Sequence, residues 1–419
     1  MIEKGKVLRF DSGKRIRVNE VIKPGGQGIA YNAMDESTGR MGVVKIFHDR
    51  FNTADTRARL KYLISQDLKS ICSVIEPPTD SIITDSLVGH YTRYVGENSL
   101  EEYLTNPQFS FSEGIQLAIA LAHTIEKMHD IGIAHGDLQA ENLRISKQGS
   151  TLRLHVIDLD NYSKRGMPLP PCVGQNLYMA PELRASGGTA VRSYPCIETD
   201  LFSLGVLMHE IILLKHVSAG NDANETDFHK AMCSGMWLMD PASDNRPSGN
   251  LGGYPIEVLN ADLARLFRAS MSIDPAKRPR AGKWKSELDK AFNSVFCCPR
   301  PKCGGPCIID VSKVICPICK KPYPKLNLEV KNRRTTLTVA TGSTIIGRAD
   351  LGGSRKVSVR HAFLRRIGPE TWLESVGSNG TYRWSGASWK RLPDRTPVLI
   401  QGKDLLRFGD VEVLVGCEV

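Results

Sequence analysis

Apolar and polar residues change their spacing along the chain. Near the N-terminus the apolar residues form short runs, such as Gly42–Phe47, which indicate β-strands. Further on, Ile115–Met128 and Leu201–Leu214 have the length and the three-to-four-residue spacing of helices. Residues 1–295 therefore predict a domain of mixed α and β structure.

Two further patterns follow this domain. Residues 296–325 are rich in Pro, Cys and Lys, and they interrupt the helical spacing. In residues 326–419, short alternating runs are separated by Gly, Asn, Ser and Pro, which is typical of an all-β sandwich or barrel. Examples of these runs are Thr336–Ala340, Trp372–Val376 and Val411–Val415. The chain therefore predicts three domains, with boundaries at 295/296 and 325/326.

The composition agrees with a multidomain globular protein. The 419 residues are 41% hydrophobic and 24% charged, which excludes wholesale disorder. The longest apolar stretch, Leu201–Leu214, contains His209 and Glu210 and is too short and too polar to cross a bilayer. Residues Met1–Arg17 lack the apolar core of a signal peptide. We therefore expect a cytoplasmic protein without membrane contact.

The net charge of +10 is unevenly distributed. Residues 1–298 hold 34 Lys and Arg against 35 Asp and Glu, whereas residues 299–334 hold 9 against 2. Residues 335–419 hold 12 against 8. The basic excess lies in the last third of the chain, either as a solvated linker or as a surface for phosphate-bearing or acidic partners.

Two early segments carry groups suited to a nucleotide. Lys23–Ala33 contains Gly25, Gly26 and Gly28 between two β-like runs, and such glycines let backbone amides approach a phosphate. An ordinary β-turn would explain the glycines equally well. Lys45 lies in an apolar strand, where an ATP phosphate would be a suitable partner, although a lysine that reaches solvent is the alternative.

Two later segments carry carboxylates suited to phosphoryl transfer. Asp137 and Asn142 lie five residues apart in a predicted loop, where one can orient a hydroxyl proton and the other can bind Mg²⁺. Asp158 ends an apolar strand and suits a second magnesium ligand. Three further motifs follow in order: Tyr178-Met-Ala-Pro-Glu182, Asp200-Leu-Phe-Ser-Leu-Gly205 and Arg278-Pro279.

In this order, the motifs resemble a eukaryotic-type (Hanks-type) serine/threonine protein kinase over residues 10–295. The resemblance implies a bilobal α+β fold, ATP and Mg²⁺ as cofactors, and protein Ser/Thr as the substrate. It implies that Lys45 pairs with the α- and β-phosphates and that Asp137 is the catalytic base. Asn142 and Asp158 would bind Mg²⁺.

The same resemblance implies roles for other segments. The glycines Gly25, Gly26 and Gly28 would bind the phosphates. Tyr91–Val95 resembles the hinge, whose backbone, including Arg93 and Val95, would hold adenine, with Thr92 as gatekeeper. Glu182 would pair with Arg278, and Asp200 would brace the catalytic loop.

The sequence departs from the kinase pattern at several positions. Gly136 stands where many kinases have an arginine, and Gln139 replaces the usual lysine two residues after the base. Lys23 replaces the first glycine of the loop, and Gln175 replaces a threonine. The expected helix, Asp55–Leu68, offers no glutamate for Lys45, and its acids, Asp55 and Asp67, are imperfect candidates.

These departures leave two alternatives to an active protein kinase. The first is a nucleotide-binding pseudokinase that acts as a scaffold. The second is a small-molecule kinase of the aminoglycoside phosphotransferase type, which shares the His-Gly-Asp loop but lacks the Ala180-Pro181-Glu182 motif. The surviving residues, Lys45, Asp137, Asn142 and Asp158, favour the active enzyme, because catalysis of this kind is mainly positioning and electrostatics.

Six of the 11 cysteines lie between Cys297 and Cys319, which indicates a metal site rather than disulfides. Cys316 and Cys319 form a knuckle whose simplest partners are Cys298 and Cys303, a set that suits structural Zn²⁺ and resembles a zinc ribbon. Cys297 or Cys307 could replace a neighbour, and free thiols or an iron–sulfur site are the alternatives. Nucleic-acid binding is not expected, because Tyr323 is the one aromatic residue among the basic ones.

Three loop segments divide the C-terminal β runs: Ile346–Arg348, Val357–His361 and Gly377–Tyr382. An arginine and a serine in the first two suit a phosphate. Together the segments resemble a forkhead-associated (FHA) domain, a β-sandwich that binds phosphothreonine peptides on loops at one end. The resemblance implies that Arg348 and Ser358 hold the phosphate, that Ser378 and Asn379 grip the peptide backbone, and that His361 locks the loop.

The sequence therefore predicts a multidomain protein with a kinase fold, a small zinc ribbon and an all-β FHA sandwich. The predicted function is ATP- and Mg²⁺-dependent serine/threonine phosphorylation, with a module that recruits phosphothreonine-containing partners. The alternative is a pseudokinase scaffold that recruits the same partners. A cognate protein phosphatase is a further expected partner, because kinases of this type are often paired with one.

Overall fold

A computed structural model describes most of the chain. The chain divides into two compact units. The first consists of Met1–Ile256 and Asp262–Phe292, and the second consists of Glu257–Ala261 and Asn293–Val419. The described residues are 1–96, 98–148, 151–172, 174–184, 194–221, 223–244, 246–247, 251–292, 294–298, 300, 302–308, 315–322, 326–331, 335–338, 342–367 and 370–417.

The first unit begins with a six-stranded antiparallel sheet. Its strands are β1 (Val7–Arg9), β2 (Arg15–Pro24), β3 (Gly28–Asp35), β4 (Met41–Phe47), β5 (Asp80–Ile83) and β6 (Val88–Arg93), in the order β1-β2-β3-β4-β6-β5. Alternate residues of β3 and β4 are buried, as the period of two in a half-buried strand requires. Apolar side chains from several strands of this sheet, among them Ile16 on β2, Tyr31 on β3 and Val44 on β4, form one core.

Helices α1 (Ala54–Ser65) and α2 (Leu68–Ile71) follow the first four strands. The sequence predicts one helix over Asp55–Leu68, and this prediction is wrong at its C-terminal end. Gln66 has an extended backbone (φ −88°, ψ 128°), which ends α1. The side chain of Asp67 accepts a hydrogen bond from the backbone N–H of Ser70, so Asp67 begins the next helix instead of continuing the first.

The rest of the first unit is mainly helical. Its helices are α3 (Leu100–Leu104), α4 (Phe111–Asp130), α5 (Ile197–Leu213), α6 (Glu225–Cys233), α7 (Ala261–Ser270) and α8 (Ala281–Phe292). Ser110 and Glu113 form a capping box that fixes the start of α4. Helix α5 is buried on nearly all sides, in agreement with its mainly apolar sequence, which His209 and Glu210 interrupt. The helices predicted at Ile115–Met128 and Leu201–Leu214 are thus confirmed.

A three-stranded sheet carries the two loops with the predicted catalytic residues. Its strands are β7 (Asn98–Ser99), β8 (Leu143–Gln148) and β9 (Thr151–Val156). Asn142 directly precedes β8, and Asp158 follows β9 by two residues. The antiparallel pairing of Leu143 with Val156 brings the two loops side by side.

The second unit begins with a hairpin of β10 (Val295–Cys297) and β11 (Pro306–Ile308), in which Phe296 is opposite Cys307. Cys316 and Cys319 follow in a short turn-rich segment. Tyr323, the aromatic residue considered for nucleic-acid contact, lies outside the described residues.

The remainder of the second unit consists of two antiparallel sheets. The ten strands are β12 (Leu326–Val330), β13 (Thr335–Thr338), β14 (Gly342–Ile346), β15 (Ala362–Ile367), β16 (Glu370–Ser375), β17 (Thr381–Trp384), β18 (Trp389–Arg391), β19 (Pro397–Ile400), β20 (Leu405–Phe408) and β21 (Val411–Cys417). One sheet has the order β13-β12-β21-β20-β17-β18, and the other has the order β14-β15-β16-β19. Both sheets contribute to one apolar core, which includes Leu328, Leu364, Leu373 and Phe408.

The strands predicted at Trp372–Val376 and Val411–Val415 correspond to β16 and β21. The predicted run Thr336–Ala340 corresponds to β13, and its last two residues lie outside the described part of the chain. Within the described residues, no helix combines the length and the apolar character needed to cross a membrane.

Candidate active site

The glycine-rich loop connects β2 to β3. A Cβ atom on Gly28 would lie 2.3 Å from a backbone oxygen of β4, so the close approach of the two strands requires glycine there. A Cβ atom on Gly26 would meet no atom within 4 Å. His48 donates a hydrogen bond to the carbonyl of Gly25 (2.9 Å), and Arg50 donates one to that of Gly26 (2.7 Å). The loop is therefore anchored while its tip keeps room for a phosphate.

Lys45 extends from β4 toward two carboxylates. Its Nζ lies 2.9 Å from Oδ1 of Asp158 and 2.6 Å from Oδ2 of Asp160. Burial alone would lower the pKa of Lys45, but the two carboxylates override that effect and raise the pKa, so the ammonium stays charged. Asp55 and Asp67, the sequence candidates, are not the partners of Lys45: Asp55 lies in the first turn of α1, and Asp67 begins α2.

The loop that carries Asp137 is held by Asp200 at the start of α5. Its carboxylate accepts hydrogen bonds from the backbone N–H groups of His135 (2.6 Å) and Gly136 (3.0 Å). The predicted bracing role of Asp200 is thus confirmed. Gly136 has φ +76°, and a Cβ atom there would lie 2.1 Å from the carbonyl oxygen of Asn161. The loop conformation therefore excludes the arginine that many kinases carry at this position.

Asp137 projects from this loop among polar neighbours. Asn142 donates from Nδ2 to the backbone carbonyl of Asp137 (2.8 Å), and Gln139 donates from Nε2 to its Oδ1 (2.9 Å). Burial raises the pKa of Asp137, His135 opposes that shift, and the negative charge of Asp158 adds to it. Asp137, Asn142 and Asp158 therefore share one polar site.

Two features shape the segment after β9: the backbone turn at Asp158 and an ion pair further along the chain. Asp158 adopts a left-handed backbone conformation (φ 57°), which turns the chain directly after the strand. Further on, both guanidinium Nη atoms of Arg278 bond the carboxylate of Glu182, at 2.6 and 2.7 Å. This bidentate ion pair confirms the pairing predicted from the sequence.

The predicted hinge, Tyr91–Val95, begins within β6, whose last three residues are Tyr91–Arg93. Arg93 ends this strand and is exposed, and Val95 follows it and is partly buried. Thr92, the predicted gatekeeper, lies 3.1 Å from Nδ1 of His90 through its hydroxyl. Adenine binding by the hinge backbone stays a prediction.

Comparison with known proteins identifies the first unit. Residues 16–287, more than half of the chain, match the protein kinase domain family. The chain belongs to the protein kinase family. The match covers the glycine-rich loop, Lys45, both carboxylate loops and the Glu182–Arg278 pair.

Several curated kinases are similar to this chain. It is 24% identical over 213 residues to the probable serine/threonine-protein kinase pknA2 of Bifidobacterium longum, which covers 47% of this chain and 26% of the relative. It is 23% identical over 310 residues to the serine/threonine-protein kinase pkn2 of Myxococcus xanthus, which covers 70% of this chain and 34% of the relative. The chain thus spans about a quarter to a third of the length of these relatives.

The kinase domain has an acidic cleft that the sequence analysis missed. Its volume is about 290 Å³, and it adjoins the catalytic loop at Ala140 and Glu141. Glu101 and Glu210 also line it. Burial raises the pKa of Glu210 to about 7. The hydroxyl of Tyr178 donates a hydrogen bond to Glu210 (3.0 Å), which lowers the pKa and only partly offsets the effect of burial. Glu210 interrupts the apolar run of α5, and this interruption was the signal available in the sequence.

Outside the kinase domain, four cysteines converge. The Sγ atoms of Cys298, Cys303, Cys316 and Cys319 all lie within 4.8 Å of one another. The sulfurs of Cys303 and Cys316 are 3.6 Å apart, close to the roughly 3.8 Å between two ligands of a tetrahedral zinc with bonds of about 2.3 Å. These are the four residues chosen from spacing, so the donor set fits a zinc ion.

The loops of the ten-stranded region bring together the four residues predicted to bind a phosphopeptide. The backbone N–H of Arg348 donates to the carbonyl of Ser358 (3.0 Å), and the Ser358 hydroxyl lies 3.4 Å from that of Ser378. Asn379 donates from Nδ2 to the carbonyl of Lys356 at 2.8 Å. Ser378 and Asn379 are exposed, so a ligand can reach them.

His361 lies beneath these loops and is fully buried. Its Nδ1 accepts a hydrogen bond from the backbone N–H of Ser358 (3.0 Å), so Nε2 carries the proton and donates to the carbonyl of Gly380 (3.0 Å). Burial lowers the pKa of His361, which favours this neutral form. The histidine therefore joins the two loops, as the sequence resemblance implied.

Proposed function

We propose that the chain is an ATP- and Mg²⁺-dependent serine/threonine protein kinase. The observation that carries the proposal is the convergence of a partly buried, charged lysine with the polar group of Asp137, Asn142 and Asp158 beneath an anchored glycine-rich loop. Protein kinase family membership and the names of the similar curated kinases support it.

Each residue has a defined task in this proposal. Asp137 accepts the proton of the substrate hydroxyl, and Lys45 binds the α- and β-phosphates. Asn142 and Asp158 would hold Mg²⁺, which offsets negative charge on the phosphates. Gly25, Gly26 and Gly28 would form the phosphate-binding loop, in which Gly26 leaves room at the tip. The backbone of Arg93 and Val95 would bind adenine.

The experiment is the transfer of the γ-phosphate of ATP to a generic protein substrate or to the chain itself. Asp137→Ala and Asp158→Ala should each abolish transfer. Asp158→Ala alone should also weaken Mg-ATP binding, because Asp137 faces the hydroxyl and Asp158 faces the metal. Transfer near the wild-type rate in Asp137→Ala would refute the assigned roles. Nucleotide binding without transfer in the wild type would favour the pseudokinase alternative.

We further propose that Cys298, Cys303, Cys316 and Cys319 hold one structural zinc ion in a zinc ribbon. The mutual distances of the four sulfurs support this site, because all four positions of a tetrahedral ion would be filled by protein. Such a site stabilises a fold and leaves no position for a substrate.

We also propose that the two-sheet region is an FHA domain that recruits a phosphothreonine-containing protein. The supporting observation is the chain of contacts that links Arg348, Ser358 and Ser378, with Asn379 beside them. A bound partner would be held close to the kinase, which raises its effective concentration. The cognate phosphatase and the cytoplasmic location stay predictions.

A further inference from the structure

Lys45 has a second carboxylate partner, Asp160, that differs from the first in its surroundings. The side chain of Asp160 is 4% exposed, whereas that of Asp158 is 36% exposed. Nζ of Lys45 is also closer to Asp160 (2.6 Å) than to Asp158 (2.9 Å). Asp158 is therefore accessible to a ligand, and Asp160 is enclosed by protein.

His90 holds Asp160 from the other side. Its Nε2 lies 3.1 Å from Oδ1 of Asp160 and donates to this carboxylate, and its Nδ1 lies 3.1 Å from the hydroxyl oxygen of Thr92. His90 is directly opposite Lys45 in the pairing of β4 with β6, so both side chains lie on the same face of the sheet.

A side chain of helix α1, that of Arg59, contacts the backbone of Asp160. The guanidinium of Arg59 donates to the carbonyl oxygens of Asp160 (2.8 Å), Tyr162 (2.5 Å) and Pro168 (2.8 Å), and it stacks on the ring of Tyr162. Arg59 is 3% exposed. The helix thus supports the lysine site through an arginine and the main chain of Asp160.

We infer that Asp160 is a positioning residue that keeps Lys45 directed at the phosphates while Asp158 binds the metal. This inference rests on the proposed kinase function. When a divalent cation engages Asp158, Lys45 keeps an enclosed carboxylate partner in Asp160. Without Asp160, Asp158 would be the remaining carboxylate partner of Lys45 among the described residues, and that ion pair would compete with the metal for one carboxylate.

The decisive variant is Asp160→Asn, which removes the charge with little change in shape. We expect kcat to fall about 10- to 100-fold, because a misplaced positioning group costs on that order. The Mg²⁺ concentration needed for half-maximal activity should rise several-fold, an effect that a purely structural role would not produce. The control is Asp262→Asn, which removes an exposed carboxylate paired with Arg265 on α7 and should leave both quantities unchanged.

A second pair of variants tests the support from β6. His90→Gln keeps a donor for Asp160, and His90→Ala does not, so the glutamine variant should retain several-fold more activity. Melting temperatures of all variants report whether each one folds. If Asp160→Asn fails to fold, the His90 pair decides: equal activity of the two variants overturns the inference.

The remaining outcomes separate the inference from the proposed function. A folded Asp160→Asn variant with wild-type kcat and Mg²⁺ dependence would overturn the inference. A fall in kcat in Asp55→Asn but not in Asp160→Asn would also overturn it. If the wild type transfers no phosphate, the proposed function fails. Binding of a non-hydrolysable ATP analogue, titrated with Mg²⁺, then tests Asp160 alone. Equal Mg²⁺-dependent affinity in the wild type and Asp160→Asn would overturn the inference.

Discussion

Gln139 donates a hydrogen bond from its side-chain amide to Oδ1 of Asp137 at 2.9 Å. The contact lowers the pKa of Asp137, whereas burial and the charge of Asp158 raise it, and the net shift is upward. A neutral amide therefore occupies the position where the kinase resemblance leads one to expect an ammonium. Asp137 consequently takes up a proton at higher pH than an ordinary aspartate does.

Gln139→Lys should change both the rate and its pH dependence. An ammonium at this position would lower the pKa of Asp137, and the base must be ionised to accept a proton. The acid limb of the kcat/KM profile should therefore move to lower pH. The added positive charge should also raise kcat by up to about tenfold, equivalent to about 1.4 kcal/mol.

The measurement is a pH–rate profile of the wild type and Gln139→Lys. Gln66→Lys, which adds the same charge after the end of α1, is the matched control and should leave the profile unchanged. An acid limb that moves to higher pH, or a profile identical to the wild type, would contradict the assigned contact.

Local patterns predicted most of the site because its residues lie in short motifs. Asp137 and Asn142 share one loop, so their five-residue spacing alone indicates a shared role. The Glu182–Arg278 pair and the bracing by Asp200 were also predicted, although these contacts join distant segments. They could be found because each partner lies in a recognisable motif.

Asp160 could not be found in this way. Its partner lies on β4, 115 positions earlier, and only the strand pairing and the turn after β9 bring the two together. The expected helix, Asp55–Leu68, offered Asp55 and Asp67 as imperfect candidates for the partner of Lys45. The bonds of Arg59 to three carbonyl groups could not be predicted from spacing either.

Glu210 makes the stability of the kinase domain depend on pH. Burial raises its pKa to about 7, from an ordinary value of 4.5, so the folded state binds its proton more tightly than the unfolded state. The stability contributed by the protonated form is therefore present below pH 4.5 and is lost as the pH rises to 7.

Glu210→Gln mimics the protonated form and can still accept the hydrogen bond from Tyr178. At pH 5 the variant should be about as stable as the wild type, and at pH 8 it should be more stable by on the order of 2 kcal/mol. Urea unfolding at both pH values measures the difference. The exposed Glu3→Gln is the control, and a gain that is equal at pH 5 and pH 8 would contradict the assignment.

The zinc proposal predicts one zinc ion per chain by elemental analysis. Cys316→Ser should remove it and lower the melting temperature, because a structural zinc site contributes folding free energy directly. Cys297→Ser is the matched control, since this exposed cysteine lies outside the group of four and should leave the zinc content unchanged. Protein without zinc, or with iron in its place, would refute the site.

The loop cluster of the two-sheet region predicts phosphothreonine binding. Arg348→Ala should reduce the affinity for a phosphothreonine peptide more than Ser358→Ala does. The guanidinium can make a charge-assisted contact to the phosphate, whereas the serine gives one neutral hydrogen bond, and charge-assisted bonds are roughly twice as strong. Arg360→Ala, an exposed arginine two residues after Ser358, tests whether general positive charge suffices.

The titration compares phosphothreonine, phosphoserine and unphosphorylated peptides of one sequence against the full chain. Phosphothreonine should bind best, because the resemblance to FHA domains implies a pocket that uses the threonine methyl group. Arg360→Ala should cause a small loss for every peptide, since an exposed charge is screened by salt. Equal affinity for the phosphorylated and unphosphorylated peptides would contradict phosphopeptide recognition. An equal loss of affinity in Arg348→Ala and Arg360→Ala would indicate that the peptide is held by nonspecific electrostatic attraction.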